Sequence, residues 1–286
     1  MEILVEDLVS RFYAFIWPMI RVSAFLLVAP FFSLDTVSLR IRIALGFLLT
    51  WLIFPLIEIP NINPISLEGL SIAFDQALIG VTMGVVLQVV SAAIVVGGQA
   101  ISNSMGLGMA NMVDPNIGNV PLLSVFLLII STLIFLGLGG HLLIIIYLVE
   151  TFKSMPIGQE VIPIDFLRFI VDWSSMVFLG ALLLALPIIV SLLFINLGIG
   201  VITRAAPALN IFAVGFPAMI LAGIILLSIS MTSIAYRIQW LWLQSFDTKF
   251  GQVRFARLAL SNDQSSIKRR RVGLAVQSNL ATEVEQ

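Results

Sequence analysis

The chain has 286 residues, a hydrophobic fraction of 59% and a formal net charge of −1. Its mean hydropathy of +1.09 exceeds that of ordinary soluble domains and indicates a membrane protein. It contains no cysteine, which excludes disulfide scaffolds, thiolate metal sites and cysteine nucleophiles. The near-zero net charge does not identify an oppositely charged class of partner.

Six apolar stretches follow one another along the chain. They are Phe12 to Phe32, Ile41 to Ile57, Leu70 to Val96, Leu122 to Val149, Trp173 to Ile202 and Ile211 to Ala235. At a rise of about 1.5 Å per residue, each except the shorter second stretch reaches across a hydrocarbon layer of about 30 Å. Prolines inside the first, second and fifth stretches predict bent helices. We therefore expect an all-α, membrane-associated protein built from kinked helical hairpins.

The charges between these stretches do not fit a conventional topology. If six spans leave both chain ends inside, Arg40 and Arg42 fall outside, while the loop that carries Glu58 and Glu68 falls inside. The positive-inside rule predicts the opposite for both. Either one stretch does not span, or the chain is not held in the bilayer as an ordinary polytopic protein.

A glycine- and methionine-rich interruption, Gly97 to Pro121, separates the third and fourth stretches. Non-helical backbone at membrane depth survives only inside protein or along a wet passage. If this part is helical, Met105, Met109 and Met112 share one face, and deformable methionine side chains could seal a pore. Ordinary gap-filling by methionine in a helix contact remains the alternative. The gate or plug residues that we predict are Met105, Gly106, Leu107, Gly108, Met109, Met112, Asp114 and Pro115.

A second group of residues is predicted to act in packing or assembly: Gly80, Gly84, His141, Arg204, Pro207 and Asn210. Gly80 and Gly84 form a small-xxx-small pattern, which lets another helix approach closely, inside the chain or across subunits. His141, the only histidine, is interpreted as a hydrogen-bonded structural residue. Arg204 either lies in an ordinary inter-span loop or forms a salt bridge or caps carbonyls at a subunit contact. Arg21, inside the first stretch, is likewise an arginine in apolar surroundings, and the same two interpretations apply to it.

The carboxyl-terminal region differs from the rest of the chain. Trp240 and Trp242 beside Arg237 are typical of an interfacial belt. Apolar residues at helical spacing from Trp242 to Val253 predict an amphipathic helix over about 236–260, on a membrane or on partner subunits. The polar, basic tail 261–286 is expected to be disordered and not to bind nucleic acid. We assign residues 1–260 to a single helical domain.

Catalysis finds no support in the sequence. The chain has one histidine and no cysteine, so neither a zinc protease nor an intramembrane serine protease can be assembled from it. No cofactor or metal site is predicted. A secondary transporter remains a rival, because broken helices can hold a small substrate near the midplane.

Several blocks of residues resemble the FliR family of flagellar export-gate proteins. The blocks are Asn103 to Pro121, Leu136 to His141, Phe152 to Gly158, Arg204 to Phe212 and Gly215 to Pro217, in this order. The resemblance covers about residues 10–245. The chain departs from the family's pattern at Ala208, Ser38 and the single histidine.

The resemblance implies a non-enzymatic core subunit of the flagellar type III secretion system in the bacterial inner membrane. It implies assembly with homologues of FliP and FliQ, contact with FlhB and with lipid, and unfolded flagellar proteins as cargo. It further implies that the helices sit within and above the membrane plane, which would explain the failed topology assignment. A virulence-type injectisome homologue shares this architecture and remains the alternative.

Overall fold

The computed structural model describes residues 2–32, 37–57, 59–60, 62, 66–107, 122–158, 164–205 and 215–246. Over these residues the chain forms helices and no strand, which confirms the predicted all-α fold. The helices are α1 Glu2–Val28, α2 Leu39–Ile53, α3 Leu67–Ser104, α4 Leu122–Gly137, α5 Gly140–Ser154, α6 Ile164–Ser174, α7 Met176–Ala205 and α8 Gly215–Phe246. A short 3-10 helix, Phe54–Leu56, extends α2. Met1–Ser245 form one compact unit, and a second unit begins at Phe246.

Five helices in the described part of the chain are long and apolar enough to cross a membrane, or six if the bent pair α4 and α5 counts as one span. Length and composition therefore support a membrane protein. α3 has 38 residues and is about 57 Å long, nearly twice the thickness of a hydrocarbon core of about 30 Å.

Helix α3 lies at the centre of the unit. Its start is fixed by Ser66, whose hydroxyl accepts a hydrogen bond from the Gly69 N–H at 3.0 Å, as a typical N-cap does. Along its length α3 packs against α1, α4, α6 and α7, and 67% of its most apolar 18-residue window is buried. It is the helix on which the others are assembled.

Glycines on α3 allow its neighbours to approach. A Cβ at Gly84 would lie 2.6 Å from the Val28 Cβ of α1, and one at Gly98 would lie 2.7 Å from the Ser124 Cα of α4. Real side chains do not tolerate such distances. Gly80 also packs against the α1 backbone, so the structure places the Gly80 and Gly84 pattern at a contact within the chain.

The stretch from Leu122 to Val149 is broken, whereas the sequence presented it as one apolar run. α4 and α5 meet at an angle of 70°. Gly139 stands at the break with φ of +72°, a left-handed conformation that glycine adopts at little steric cost. Hydrophobicity continues through this bend, so composition alone did not reveal it.

The predicted interruption also begins later than expected. α3 continues through Gly97 and Gly98 to Ser104, so the helix ends only eight residues before Met112. The two glycines are tolerated in the helix because their missing side chains make room for Ala181 of α7 and Ser124 of α4.

The carboxyl-terminal helix differs from its prediction as well. α8 runs unbroken from Gly215 to Phe246, so 236–246 continue a membrane-length helix. Trp242 is 1% exposed and donates its indole N–H to the Ser131 hydroxyl at 2.8 Å. It also packs on the rings of Phe31 and Phe135. The interfacial assignment was wrong for Trp242, because its side of α8 faces α4. Residues 247–286 lie outside the described residues.

Candidate functional site

The predicted gate segment, Met105 to Asp114, starts where α3 ends. The Met105 N–H donates to the Ile101 carbonyl and the Gly106 N–H donates to the Asn103 carbonyl, both at 3.0 Å. Gly106 then takes φ of +82°, a conformation that side chains strongly disfavour. The helix therefore ends in a glycine-dependent turn.

Met105 is buried at this turn, with 2% of its surface exposed. Its side chain fills a notch at Gly223 of α8, where an added Cβ would lie 2.5 Å from the Met105 Cε. Met105 is thus a knob in a helix contact, and the gap-filling interpretation is correct for it. The end of α3 directs the Met105 side chain toward α8, and the gate role of Met105 stays a prediction.

Phe216 of α8 covers the other side of the turn. A Cβ at Gly106 would lie 3.4 Å from the Phe216 ring. Two blocks that resemble the same family, one starting at Asn103 and the other at Gly215, are therefore adjacent in space. Leu107 is half-buried beside them. The remaining predicted gate residues, Gly108, Met109, Met112, Asp114 and Pro115, lie outside the described residues.

A buried arginine joins three helices elsewhere in the unit. Arg21 of α1 is fully buried, and its Nε donates to the Gln76 side-chain oxygen of α3 at 2.7 Å. Its Nη1 and Nη2 donate to the carbonyls of Thr151 and Met155, at 3.0 and 2.9 Å. The guanidinium also lies 4.1 Å from the centre of the Phe152 ring. We call these five residues the arginine node.

The arginine node shows that Arg21 caps backbone carbonyls inside the chain. The guanidinium caps the carboxyl end of α5, where free carbonyls and the helix dipole favour a positive charge. A buried charge is tolerated only when it is well paired and hydrogen-bonded. Sequence reasoning missed Gln76, although a polar residue directly after Asp75 in the third apolar stretch was a signal that a polar partner lay elsewhere.

A second arginine, Arg237, donates a hydrogen bond to a carbonyl that a proline leaves without its helical donor. Pro187 lies inside α7 and has no N–H, so the carbonyl of Leu183, four residues earlier, lacks its helical donor. Arg237 of α8 donates to that carbonyl through Nη1. Neighbouring helices commonly satisfy backbone groups freed by proline within membranes. The proline and the arginine were both visible in the sequence, but their pairing required the packing of α7 on α8.

The other predicted packing residues have separate positions. His141 is exposed near the start of α5, and its structural role stays a prediction. Arg204 is exposed in the last turn of α7, where a cation complements the helix dipole. Pro207 and Asn210 lie outside the described residues. In the described part of the chain, His, Asp and Glu form no group of three that could hold a metal.

Comparisons with known proteins give a consistent result. A family model described as bacterial export proteins, family 1, matches residues 12–245. The chain is 34% identical to the flagellar biosynthetic protein FliR of Escherichia coli K12 over 248 residues, covering 86% of this chain and 95% of that protein. It is 37% identical to FliR of Pectobacterium carotovorum, over 84% of this chain and 93% of that protein. It is 29% identical to FliR of Bacillus subtilis, over 80% of this chain and 90% of that protein.

The family match spans most of the compact unit, from within α1 to the last turn of α8. The described helices within it have the length and composition of membrane spans. The chain therefore belongs to the bacterial export proteins, family 1, the family of the flagellar biosynthetic protein FliR, and is a membrane protein of the flagellar export apparatus.

Proposed function

We propose that this chain is a non-enzymatic core subunit of the flagellar export gate in the bacterial inner membrane. It assembles with homologues of FliP and FliQ and contacts FlhB. Together these subunits enclose a channel through which unfolded flagellar proteins leave. The relatives reported above are flagellar proteins, which favours the flagellar assignment over an injectisome homologue.

The packing of the turn after α3 is the observation that carries this proposal. Met105 is locked against Gly223, and Phe216 covers Gly106. The base of the gate segment is thus held by the longest buried helix and by α8. A gate needs such a fixed base, because a segment that closes a channel must return to one position after cargo has passed.

The sealing part of the gate segment is the portion after Gly106. Met109 and Met112 are unbranched and polarizable, so they can close around one another and still yield to a passing chain. Gly108 permits the backbone to bend there. The seal works through deformable apolar packing and involves no covalent chemistry.

Alanine substitutions distinguish the sealing residues from the fixed base. In the complex assembled with the FliP and FliQ homologues, Met109→Ala with Met112→Ala should leave assembly intact and make the channel leak small ions. Met105→Ala should instead lower the free energy of unfolding of the chain by about 2 to 5 kcal/mol, because it leaves a cavity where the Met105 side chain was buried. The measurements are ion conductance across planar bilayers and thermal unfolding in detergent.

Met176→Ala is the matched control, since Met176 is half-buried at the start of α7 and outside the gate segment. Unchanged conductance in the Met109 and Met112 double variant would refute the sealing role. Failure of the tagged chain to co-purify with the two homologous proteins would refute the gate assembly itself.

The transporter alternative receives less support from the described structure. A transporter requires intramembrane polar groups that are free to bind a substrate. Arg21, the fully buried cation of the described residues, instead directs its three donor nitrogens to protein oxygens.

A further inference from the structure

We propose that a groove between α7 and α8 binds an anionic phospholipid, with the lipid phosphate on the Arg237 guanidinium. The groove has a volume of about 370 Å³, within the lower range of ligand-binding clefts. Its lining residues are Leu183, Tyr236, Arg237, Trp240 and Leu241. The inference requires the membrane location of the chain but does not depend on the gate proposed above.

The charge of Arg237 has no counter-ion among the described residues. It is the only charged residue of α8, and its described hydrogen bond joins Nη1 to a neutral carbonyl of α7. A guanidinium has five N–H donors in a planar fork. The donors that do not face Leu183 can therefore bind a phosphate, and charge-assisted bonds of this kind are among the stronger hydrogen bonds in proteins.

The spacing of Arg237 along α8 is compatible with a headgroup position. It follows Gly215 by 22 residues, which places it about 33 Å along the helix axis from the start of α8. A hydrocarbon core is about 30 Å thick. Tyr236 and Trp240 flank the arginine and are 69% and 44% exposed. Amphipathic rings and long cationic side chains are typical of the boundary between hydrocarbon and headgroups.

The remaining walls of the groove suit an acyl chain. Leu241 is buried and forms its floor, while Leu183 and the ring of Trp240 form apolar sides. A cation without a counter-ion among the described residues, placed above an apolar groove, complements a molecule with one anionic end and one apolar end. Among the components of a membrane, an anionic phospholipid has this combination.

Lipid titration of the purified chain tests the proposal. In native mass spectrometry from mild detergent, the wild-type chain should bind phosphatidylglycerol more tightly than zwitterionic phosphatidylcholine. Arg237→Gln should weaken phosphatidylglycerol binding by about tenfold, because it removes a charge-assisted hydrogen-bond donor. Arg40→Gln is the matched control, since Arg40 is an exposed arginine at the start of α2, away from the groove, and it should leave the affinity unchanged.

A proline substitution separates lipid binding from the structural role of Arg237. Pro187→Ala restores a helical N–H for the Leu183 carbonyl, so this carbonyl no longer needs the arginine. Pro187→Ala alone should retain phosphatidylglycerol binding, whereas Pro187→Ala with Arg237→Gln should fold and lose it. If Arg237→Gln by itself fails to fold, the double variant decides the question.

Three results would overturn the proposal. The first is equal affinity of the wild-type chain for phosphatidylglycerol and phosphatidylcholine. The second is wild-type phosphatidylglycerol affinity in the folded double variant. The third is retention of phosphatidylglycerol by the isolated chain but not by the purified multi-subunit complex, because a partner protein would then occupy the groove.

Discussion

The most apolar 18-residue windows of helices α3 and α8 are nearly equal in mean hydropathy, at 2.3 and 2.2, yet 67% of the α3 window is buried inside the chain and only 11% of the α8 window. Both helices are longer than a hydrocarbon layer requires. Hydropathy therefore measures how well a helix tolerates an apolar environment. It does not tell whether that environment is the rest of the chain, a partner subunit or lipid.

The difference between the two helices arises from small residues and polar anchors. α3 presents glycines to α1, α4 and α7, and these contacts bring backbones close together, as in other membrane helix pairs. α8 receives the Met105 knob at Gly223 and buries Trp242, but side chains such as Ile229 remain 74% exposed. Substitutions on α3 and its partners should break the fold, whereas substitutions on outer surfaces should spare the isolated chain.

The largest expected effect follows from removing Arg21. Arg21→Met leaves the Gln76 oxygen and two carbonyls at the end of α5 without their donor, which should cost about 3 to 5 kcal/mol of folding free energy. Thermal unfolding of the purified chain measures this loss. Arg11→Met, at an exposed position on the same helix, is the control and should shift stability by about 0.5 kcal/mol or less. Equal effects of the two variants would contradict the arginine node.

A smaller loss of folding free energy is expected when a large side chain is placed on α3 at its contact with α1. Gly84→Leu forces a side chain into the space of Val28 and the Ala29 backbone, and such overpacking costs about 1 to 3 kcal/mol. Gly198→Leu on α7 is the matched control, because nothing lies within 4 Å of a Cβ at Gly198. The same unfolding assay applies. Loss of stability in the control but not at Gly84 would show that α3 is not the central helix.

The smallest effect on the chain itself is expected at Arg204. Arg204→Ala changes an exposed side chain in the last turn of α7, so the stability of the isolated chain should change by about 0.5 kcal/mol or less. Recovery of the multi-subunit complex should nevertheless fall, if this outer surface serves assembly. Normal recovery combined with lost secretion would instead indicate a role in conduction.

The sequence predicted what depends on composition and local chemistry. The all-α fold and the apolar stretches are expressed in hydropathy and helix length, each of which acts over a few residues. Prolines and glycines also marked the places where helices end or receive neighbours. A glycine pattern does not name the neighbour, however, so Gly80 and Gly84 indicated a contact without identifying α1.

The errors occurred where long-range packing decides the structure. For Met105, helical spacing indicated two other methionines as neighbours, and only the packing shows its contact with Gly223, which is remote in sequence. Trp242 has the composition of an interfacial residue, and only the packing of α8 against α4 makes it a core residue. The partners of Arg21 likewise come from two other helices, a fact that no local rule contains.

The arginine node also bears on how the protein responds to acid. The oxygens that receive the Arg21 donors belong to an amide side chain and two backbone carbonyls. None of these oxygens gains or loses a proton in the physiological pH range, unlike a carboxylate in a conventional ion pair. A proton gradient across the membrane would therefore leave these three bonds intact. Any acid-driven motion of this subunit would have to begin at a different position.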